Sequence, residues 1–308
     1  MPTLFVTLCC LLGTSWAGSS MGALSSRALP EEAAGATAVP DVPRKQLTKI
    51  DVEGEGIGHD RSAYVWVPEG KGPFPVVFAI HGGKRRDGRD MVPKLKPAEK
   101  RGVILVYPNG GEVPGRSGRG WVGPDKPDGD SADRDIRFFR ALVHTLEQST
   151  PVDKERMFVT GMSGGGYMTN LLWCEMSDTF AGFGVVSRAM PKVMAATCDV
   201  SRPRPYLLMM GTKDPGLLNE YQLRPDETRD FVRTQLGCPE EPEVDRTLPD
   251  KGDGLQVNHR RFRCSGGVHF DDYEIVGGGH QWPGSGKPKP DKAEDVDATE
   301  VILDAFGL

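Results

Sequence analysis

The stretch Gly161-Met162-Ser163-Gly164-Gly165 decides the expected fold, because it sets a serine between glycines in the pattern G-x-S-x-G. Residues 157–160, just before it, are mostly apolar and predict a buried strand, and residues 166–174 predict a helix directly after it. A strand that turns sharply into a helix holds the middle residue in a strained conformation and exposes its side chain. The stretch therefore predicts a nucleophilic Ser163 hydroxyl at the edge of a sheet. A glycine-rich turn in another kind of α/β protein is the alternative.

The composition is that of a globular protein with many loops. The chain has 308 residues, of which 39 are glycine and 25 are proline, and this length allows one large α/β domain with a substantial core. Its formal net charge of −5 favours neither nucleic acid nor an anionic membrane as a partner. No change in composition between residues 45 and 308 marks a second domain, so this range is predicted to be one catalytic domain.

The N-terminal residues have features of a secretory signal. Residues 4–12 are apolar but too few to span a bilayer, and Ser15 and Ala17 put small side chains where a signal peptidase reads them. We therefore predict a signal peptide over residues 1–17, although its first residues include no Lys or Arg; a buried strand is the alternative. Residues 18–44, rich in Ala, Ser, Gly and Pro, are predicted to be a disordered leader. The protein is then secreted, either outside the cell or into a periplasm, without a membrane span.

Cysteine usage agrees with export. Two of the 6 cysteines fall inside the predicted signal peptide, which leaves an even set. An even set in an exported chain predicts disulfides, and we favour the sequential pairing among the three possible ones because it closes the shortest loops. No spacing typical of zinc ligands is present, so no metal site is predicted. The remaining cysteines are Cys174, Cys198, Cys238 and Cys264.

Hydrophobic patterning predicts an α/β fold with a mostly parallel central sheet and helices on both faces. Residues 45–52 and 61–67 alternate between apolar and polar, and we expect them to pair antiparallel at an edge of the sheet. Continuous apolar runs predict central parallel strands that are covered on both faces. These runs are residues 76–80, 102–107, 182–187 and 206–211. Further strands are predicted at 255–264 and 272–276, and helices at 133–148, 228–236 and 298–306.

The end of the strand at 76–80 predicts part of an oxyanion hole. His81-Gly82-Gly83 follows this strand, and the backbone N–H of Gly83 is expected to act with that of Gly164 on a developing oxyanion. A flexible strand end is the alternative, and His81 itself is expected to pack or hydrogen-bond in the loop. Lys84-Arg85-Arg86 comes next and either attracts acidic substrates at the mouth of the site or is a solvated face.

Two more residues complete a catalytic set in the chain order Ser, Asp, His. Asp214 follows the strand at 206–211, where such a fold keeps its acid; a helix cap or turn is the alternative, with Asp226 and Asp230 as fallback candidates. His280 follows three glycines after the last core strand, which lets the loop bring an imidazole to the serine. A surface-loop histidine is the alternative there.

Two tryptophans are candidates for contact with the substrate. Trp282 comes two residues after His280 and is expected beside the site. Trp121 lies in a loop predicted over residues 112–130, where it either lines the substrate cleft or fills a hydrophobic gap.

These residues together imply acyl transfer. A histidine within hydrogen-bond reach removes the proton of the serine hydroxyl as it attacks, and an aspartate fixes the tautomer of the ring. Backbone N–H groups stabilise the tetrahedral intermediate, and water then releases the acyl group. The chemistry requires no metal and no organic cofactor.

Four segments resemble the secreted esterase family that includes polyhydroxybutyrate depolymerases and feruloyl esterases, a group of α/β-hydrolases. They are His81-Gly82-Gly83, residues 161–166, residues 211–215 and residues 277–284, and the resemblance runs from about residue 60 to the C terminus. It implies an α/β-hydrolase fold and catalytic roles for Ser163, Asp214 and His280. The four cysteines outside the signal peptide also stand where this family tends to carry disulfides. The basic run at residues 84–86 departs from the family and leaves the substrate open.

The resemblance implies a serine esterase acting on a hydroxycinnamoyl-sugar ester or a hydroxyalkanoate polyester or oligomer. We expect an ester substrate as its partner and a monomeric protein. The sequence contains no separate polymer-binding module, so soluble esters are favoured over a solid polymer. A serine peptidase on the same fold is one alternative, and a non-catalytic binding protein on a hydrolase scaffold is the other.

Overall fold

The fold is taken from a computed structural model, which describes residues 43, 45–83, 87–113, 118–122, 133–217, 219–284 and 292–308. The predicted signal peptide, all but one residue of the predicted leader and the basic run at 84–86 lie outside the described residues.

The predicted strands and helices form with shifted ends. The strands are β1 (Thr48–Asp51), β2 (Ser62–Trp66), β3 (Phe74–Ile80), β4 (Ile104–Pro108), β5 (Gly111–Glu112), β6 (Arg119–Gly120), β7 (Val152–Met162), β8 (Gly182–Val186), β9 (Tyr206–Gly211), β10 (Val244–Thr247), β11 (Gln256–Arg263) and β12 (His269–Val276). The helices are α1 (Val92–Leu95), α2 (Arg134–Ser149), α3 (Gly164–Met176), α4 (Lys192–Ala195), α5 (Pro225–Gln235) and α6 (Ala298–Ala305).

Within the described part of the chain, one 10-stranded sheet has the order β1-β2-β4-β3-β7-β8-β9-β12-β11-β10. The strands from β4 to β12 in this order are parallel. Antiparallel strands extend both edges, and β1 pairs antiparallel with β2 as predicted. The inner strands β4, β8 and β9 are fully buried and mostly apolar because they are covered on both faces. The predicted mostly parallel α/β sheet is therefore confirmed.

Two hydrophobic cores lie on opposite faces of this sheet. Neighbouring residues of β3 point to different faces, so Phe78 belongs to one core and Val77 to the other. The first core includes the apolar face of α2 and the apolar side chains of α3, whose Trp173 is fully buried. The second core includes Ile302 and Leu303 of α6. Helices therefore cover both faces, and this fixes the strand ends that carry the site.

Two disulfides join Cys174 to Cys198 and Cys238 to Cys264, so the favoured sequential pairing is confirmed. The first ties the end of α3 to the segment after α4, and the second ties the end of α5 to the end of β11. Among the described residues, no helix has both the length and the apolar character that crossing a membrane requires.

Candidate active site

Ser163 occupies a strained turn between β7 and α3. Its backbone has φ 60° and ψ −115°, a left-handed conformation that side chains rarely adopt. The Ser163 N–H donates to the Val186 oxygen at 3.0 Å, and the Tyr167 N–H donates to the Ser163 oxygen at 2.9 Å. These two bonds attach the turn to β8 on one side and to the first turn of α3 on the other. The predicted strand-turn-helix setting of the serine is confirmed.

Glycine is required around Ser163 because the backbone packs without room for a side chain. A Cβ added at Gly161 would lie 2.5 Å from the carbonyl carbon of Gly165. One added at Gly165 would lie 2.0 Å from the Ile80 oxygen, and one at Gly166 would lie 2.7 Å from the Arg188 Cβ. The three glycines thus let β3, β7 and α3 converge directly beneath the serine.

The turn after β3 lies against this elbow. A Cβ added at Gly164 would lie 3.0 Å from the backbone nitrogen of Gly83, and one added at Gly82 would lie 3.5 Å from the Ser163 Cβ. The structure therefore brings Gly83 next to Gly164, as the oxyanion-hole prediction requires. The N terminus of α3 begins at the same place and favours negative charge there.

His81 holds the turn in place by two hydrogen bonds. Its Nε2 accepts a hydrogen bond from the Gly110 N–H at 2.9 Å, so the ring proton is on Nδ1. That Nδ1 lies 2.6 Å from the Gly82 oxygen and donates to it. The ring is fully buried, and His81 is thus a hydrogen-bonding residue of the loop, as expected.

Asp214 and His280 form the other half of the site. His280 Nδ1 lies 2.8 Å from Asp214 Oδ2, and the Asp214 side chain is fully buried while the His280 side chain is 37% exposed. The other carboxylate oxygen accepts the Gly216 N–H at 2.8 Å, which fixes the acid in the turn after β9. Asp214 is therefore held for a histidine partner, with Nδ1–H as its donor.

The fallback acids have other partners. Asp226 accepts from the Arg224 guanidinium at 2.9 Å, and this hydrogen bond lowers the pKa of Asp226 to about 2. Asp230 lies 3.7 Å from Arg233 on the same exposed part of α5. The structure brings neither of them to His280.

The glycines before His280 join the ends of β9 and β12. The Lys213 N–H donates to the Gly278 oxygen at 2.9 Å, and the Gly277 N–H donates to the Thr212 Oγ at 2.9 Å. A Cβ at Gly211 would lie 2.3 Å from the Gly278 oxygen, so the two loops pack backbone against backbone. Gly277 also has a φ of 81°. This joint carries the acid on one loop and the histidine on the other.

Ser163 and His280 open onto the same cleft, which has a volume of ≈ 600 Å³, in the size range of small-molecule sites. Trp282 also lines it, and the indole N–H donates to the Thr299 Oγ at 3.1 Å. Trp282 therefore lies beside the site, as predicted. The described lining also includes Gly82, Gly83, Asp90, Met91, Lys94, Met162, Gly164, Arg188, Gln281 and Lys292.

Trp121 lies in the core instead of the cleft wall. It is 3% exposed, its ring packs against Phe138 and Phe139, and it is not among the described residues that line the cleft. Its indole N–H donates to the His81 oxygen at 2.9 Å. Of the two predicted roles, filling a hydrophobic gap is the one that the structure supports, and substrate contact is not. Trp121 instead positions the loop that carries Gly83.

The sequence motifs do not mark the charged side chains of the cleft. Lys94, Arg188 and Lys292 line it together with Asp90. Arg188 lies two residues after the end of β8, and the carboxyl ends of parallel strands meet at one edge of a sheet, so strand order indicates its position. Lys94 and Lys292 lie far from the motifs in sequence, and no local signal marks them.

Ser187 connects this strand end to the histidine loop. Its hydroxyl donates to the Gln281 oxygen at 2.9 Å and accepts the Gln281 N–H at 3.2 Å. Ser187 also has a φ of 50°, a left-handed conformation that turns β8 sharply at its end. The residue after His280 is therefore held by two hydrogen bonds to the same side chain.

Comparison with solved structures identifies the fold. An acetyl xylan esterase from Aspergillus awamori has a TM-score of 0.59 at 18% identity, over 84% of this chain and 99% of that one. The protein has the α/β-hydrolase fold. A ferulic acid esterase from Anaeromyces mucronatus has the same fold, with a TM-score of 0.53 at 16% identity, over 85% of this chain and 91% of the other.

Sequence relatives agree with the resemblance expected from the motifs. Feruloyl esterase B from Piromyces equi is 29% identical over 208 residues, and a probable feruloyl esterase C from Aspergillus terreus is 27% identical over 226 residues. These alignments cover 62% and 70% of this chain and 36% and 74% of the relatives. The similarity to feruloyl esterases is thereby confirmed.

Other matches cover only part of the relatives or only part of this chain, so the names of the relatives do not establish its activity. The chain spans only 31% of a bifunctional acetylxylan esterase/xylanase from Neocallimastix patriciarum, at 23% identity, so it covers about a third of the first curated relatives. A family model described as the prolyl oligopeptidase family matches residues 91–191 of this chain, which include Ser163 but neither Asp214 nor His280.

Proposed function

We propose that the protein is a serine hydrolase of carboxylic esters, with Ser163 as nucleophile, His280 as base and Asp214 as the acid that orients the histidine. The observation that carries this proposal is the buried Asp214 carboxylate on His280, facing the same cleft as a serine in a strained elbow. Strain of this kind in a non-glycine residue is concentrated at functional sites. The names of the relatives support ester bonds as the target.

In the proposed reaction, the Ser163 Oγ attacks the ester carbonyl while His280 Nε2 takes its proton. Asp214 stabilises the imidazolium through the Nδ1–H hydrogen bond. The N–H groups of Gly83 and Gly164 donate to the oxyanion, and each such donor is worth roughly 3 kcal/mol. His280 then protonates the leaving alcohol, and water attacks the acyl-enzyme by the same sequence of proton transfers.

We propose hydroxycinnamoyl-sugar esters, acetylated sugars or hydroxybutyrate oligomers as substrate classes. The first two are favoured by relatives named as feruloyl and acetylxylan esterases, and the third by the motif resemblance alone. We further propose that residues 1–17 direct export and that residues 45–308 act as one catalytic domain without a resident cofactor. Two disulfides support an oxidising compartment. A monomer is our proposal for the assembly, and size-exclusion chromatography with light scattering tests it.

The mechanism is tested with a fluorophosphonate probe, which reacts with activated serines. The folded wild type should be labelled at Ser163, and Ser163→Ala should be unlabelled. Ser201→Ala is the matched control, because Ser201 is exposed and lies outside the described lining of the cleft. It should still be labelled. A folded wild type that stays unlabelled contradicts the proposal and favours a binding protein on a hydrolase scaffold.

The substrate class is tested by assaying methyl ferulate, acetylated xylo-oligosaccharides and hydroxybutyrate oligomers with wild type and Ser163→Ala. Activity that the variant lacks identifies the acyl group. Hydrolysis of none of the three would reject these classes while leaving the labelling result intact.

A serine peptidase is the second candidate, because the matching family model is that of the prolyl oligopeptidases. Amides need better protonation of the leaving group than esters, so the two activities separate readily. A p-nitrophenyl acetate assay run beside peptide p-nitroanilides decides between them. A kcat/KM for the anilide that equals or exceeds the value for the ester would replace the esterase proposal.

A further inference from the structure

Three aspartates converge between the loop after β10 and the segment before α6. A carboxylate oxygen from each of Asp250, Asp253 and Asp295 lies within 4.8 Å of the others. Calcium binds oxygens at 2.3–2.6 Å, so two ligands of one ion lie at most about 5 Å apart. Magnesium, which binds at 2.0–2.1 Å, usually keeps several waters instead of taking an all-protein set of ligands. Separations within 4.8 Å allow one calcium ion to reach all three carboxylates.

Asp295 is the buried member of the group. The residue is only 8% exposed, and its Oδ2 accepts no hydrogen bond from any described residue. Its Oδ1 accepts the Lys251 N–H, which turns the carboxylate toward the loop that carries the other two aspartates. A buried carboxylate oxygen without a donor costs several kcal/mol, and a cation coordinated there removes that cost.

The lysine of this loop does not form an ion pair with the cluster. Lys251 donates its Nζ to the backbone oxygen of Glu294 at 3.0 Å. The Glu294 side chain adds a second buried carboxylate oxygen, Oε1, that accepts no hydrogen bond from the part of the chain that the structure describes. The segment therefore concentrates negative charge where a divalent cation would offset it.

We propose that Asp250, Asp253 and Asp295 bind a calcium ion that ties the loop after β10 to the segment before α6. Asp253 Oδ2 already accepts the Glu294 N–H, so the two segments are in contact before the ion binds. The same segment reaches the catalytic loop, because the Ala293 N–H donates to Gln281 Oε1 at 2.7 Å. The ion thus secures the backbone against which the residue after His280 is held.

The binding is tested on the full chain after treatment with EDTA and removal of the chelator. Thermal unfolding is measured without metal, with 10 mM CaCl2, and with MgCl2 at the same concentration. This calcium concentration is about ten to a hundred times a Kd of 10⁻⁴–10⁻³ M. Calcium should raise Tm by about 3–6 °C and magnesium by clearly less. Calorimetric titration with CaCl2 should give one site per chain.

Substitutions connect the response to the cluster. Asp295→Asn and Asp250→Asn should each lose the calcium-dependent rise in Tm. Asp250 is exposed, so its variant keeps the test available if Asp295→Asn does not fold. Asp199→Asn makes the same change of charge at an exposed residue outside the cluster and should keep the full rise. No calcium response in the wild type, an equal response to magnesium, or a full response in Asp250→Asn would overturn the proposal.

Discussion

At the scale of single residues, the site depends on the carboxylate of Asp214, whose hydrogen bonds commit it to orienting His280. Asp214 is fully buried, with one oxygen on the Gly216 N–H and the other on His280. Such an acid holds the ring in one tautomer and stabilises its charged form. An amide in its place keeps the shape but presents a donor to Nδ1.

Asp214→Asn should therefore lower kcat for p-nitrophenyl acetate by about 10⁴-fold with little change in KM, because the imidazole is held in the wrong tautomer. Steady-state kinetics at neutral pH measures this loss.

Asp226→Asn is the control, since it makes the same chemical change in an exposed ion pair with Arg224. Its kcat should stay within about twofold of the wild type. Equal losses in the two variants would remove Asp214 from the mechanism.

The positions of Ser163, Asp214 and His280 could be predicted because each follows a recognisable strand, and parallel strands end at one edge. Trp121 could not be placed, since its role is set by Phe138 and Phe139 from α2. Nothing near Trp121 in the sequence distinguishes a tryptophan above a core from one beside a ligand.

At the scale of elements, charged residues kept parts of two strands from being predicted by the apolar pattern of the sequence. The apolar run at 157–160 marks only the buried half of β7, because residues 154–156 are exposed. The strand predicted at 272–276 begins at His269, and it buries Asp271 and Asp272 against arginines. Sequence patterns treat such carboxylates as solvent-facing, whereas ion pairs from neighbouring elements allow them inside.

The elbow is the element least tolerant of a side chain. Gly165→Ala should lower the free energy of unfolding by about 3 kcal/mol or more, because the new Cβ meets the Ile80 oxygen at 2.0 Å. Urea unfolding followed by circular dichroism measures the difference.

Gly83→Ala is its control, since a Cβ there meets nothing within 4 Å. That variant keeps its backbone N–H and should unfold within about 0.5–1 kcal/mol of the wild type. A Gly165→Ala protein as stable as Gly83→Ala would mean that β3 and α3 pack less closely than described.

Asp271 on β12 gives a pH dependence of stability. Burial raises its pKa, but hydrogen bonds from His259 and Arg261 outweigh burial and hold the pKa of Asp271 below its usual value. A carboxylate with a depressed folded pKa stabilises the protein above its unfolded pKa of about 4, and this stabilisation is lost as pH falls through the folded pKa.

Asp271→Asn should therefore lower Tm most at pH 6–8, and the deficit should shrink below about pH 4. Thermal unfolding from pH 3 to 8 tests this, with Asp245→Asn, an exposed residue on β10, as the control. A deficit that does not change with pH would indicate a loss of packing instead of charge.

At the scale of the whole molecule, two disulfides close short loops on one side of the sheet. Their cysteines lie in or against the core that includes residues of α3 and α5. Closing a loop of 24 or 26 residues restricts the unfolded chain, and each closure contributes about 3 kcal/mol.

Replacing Cys238 and Cys264 together by serine should lower the free energy of unfolding by about 3 kcal/mol and leave fluorophosphonate labelling in place, because neither residue lines the described cleft. Denaturant titration measures the loss. The wild type in a reducing agent is the companion measurement, and its destabilisation should be larger, since both bridges open.

The joint between β9 and β12 has a consequence for how activity responds to heat. Aspartate and histidine stand on adjacent strands whose loops interlock, whereas the nucleophile belongs to β7, on the far side of β8. Movement of β7 relative to β9 and β12 would leave the geometry between the acid and the imidazole intact. It would widen only the distance between the serine oxygen and the imidazole nitrogen that takes its proton. We therefore expect activity to be lost on warming several degrees below the unfolding temperature, and to return in full on cooling.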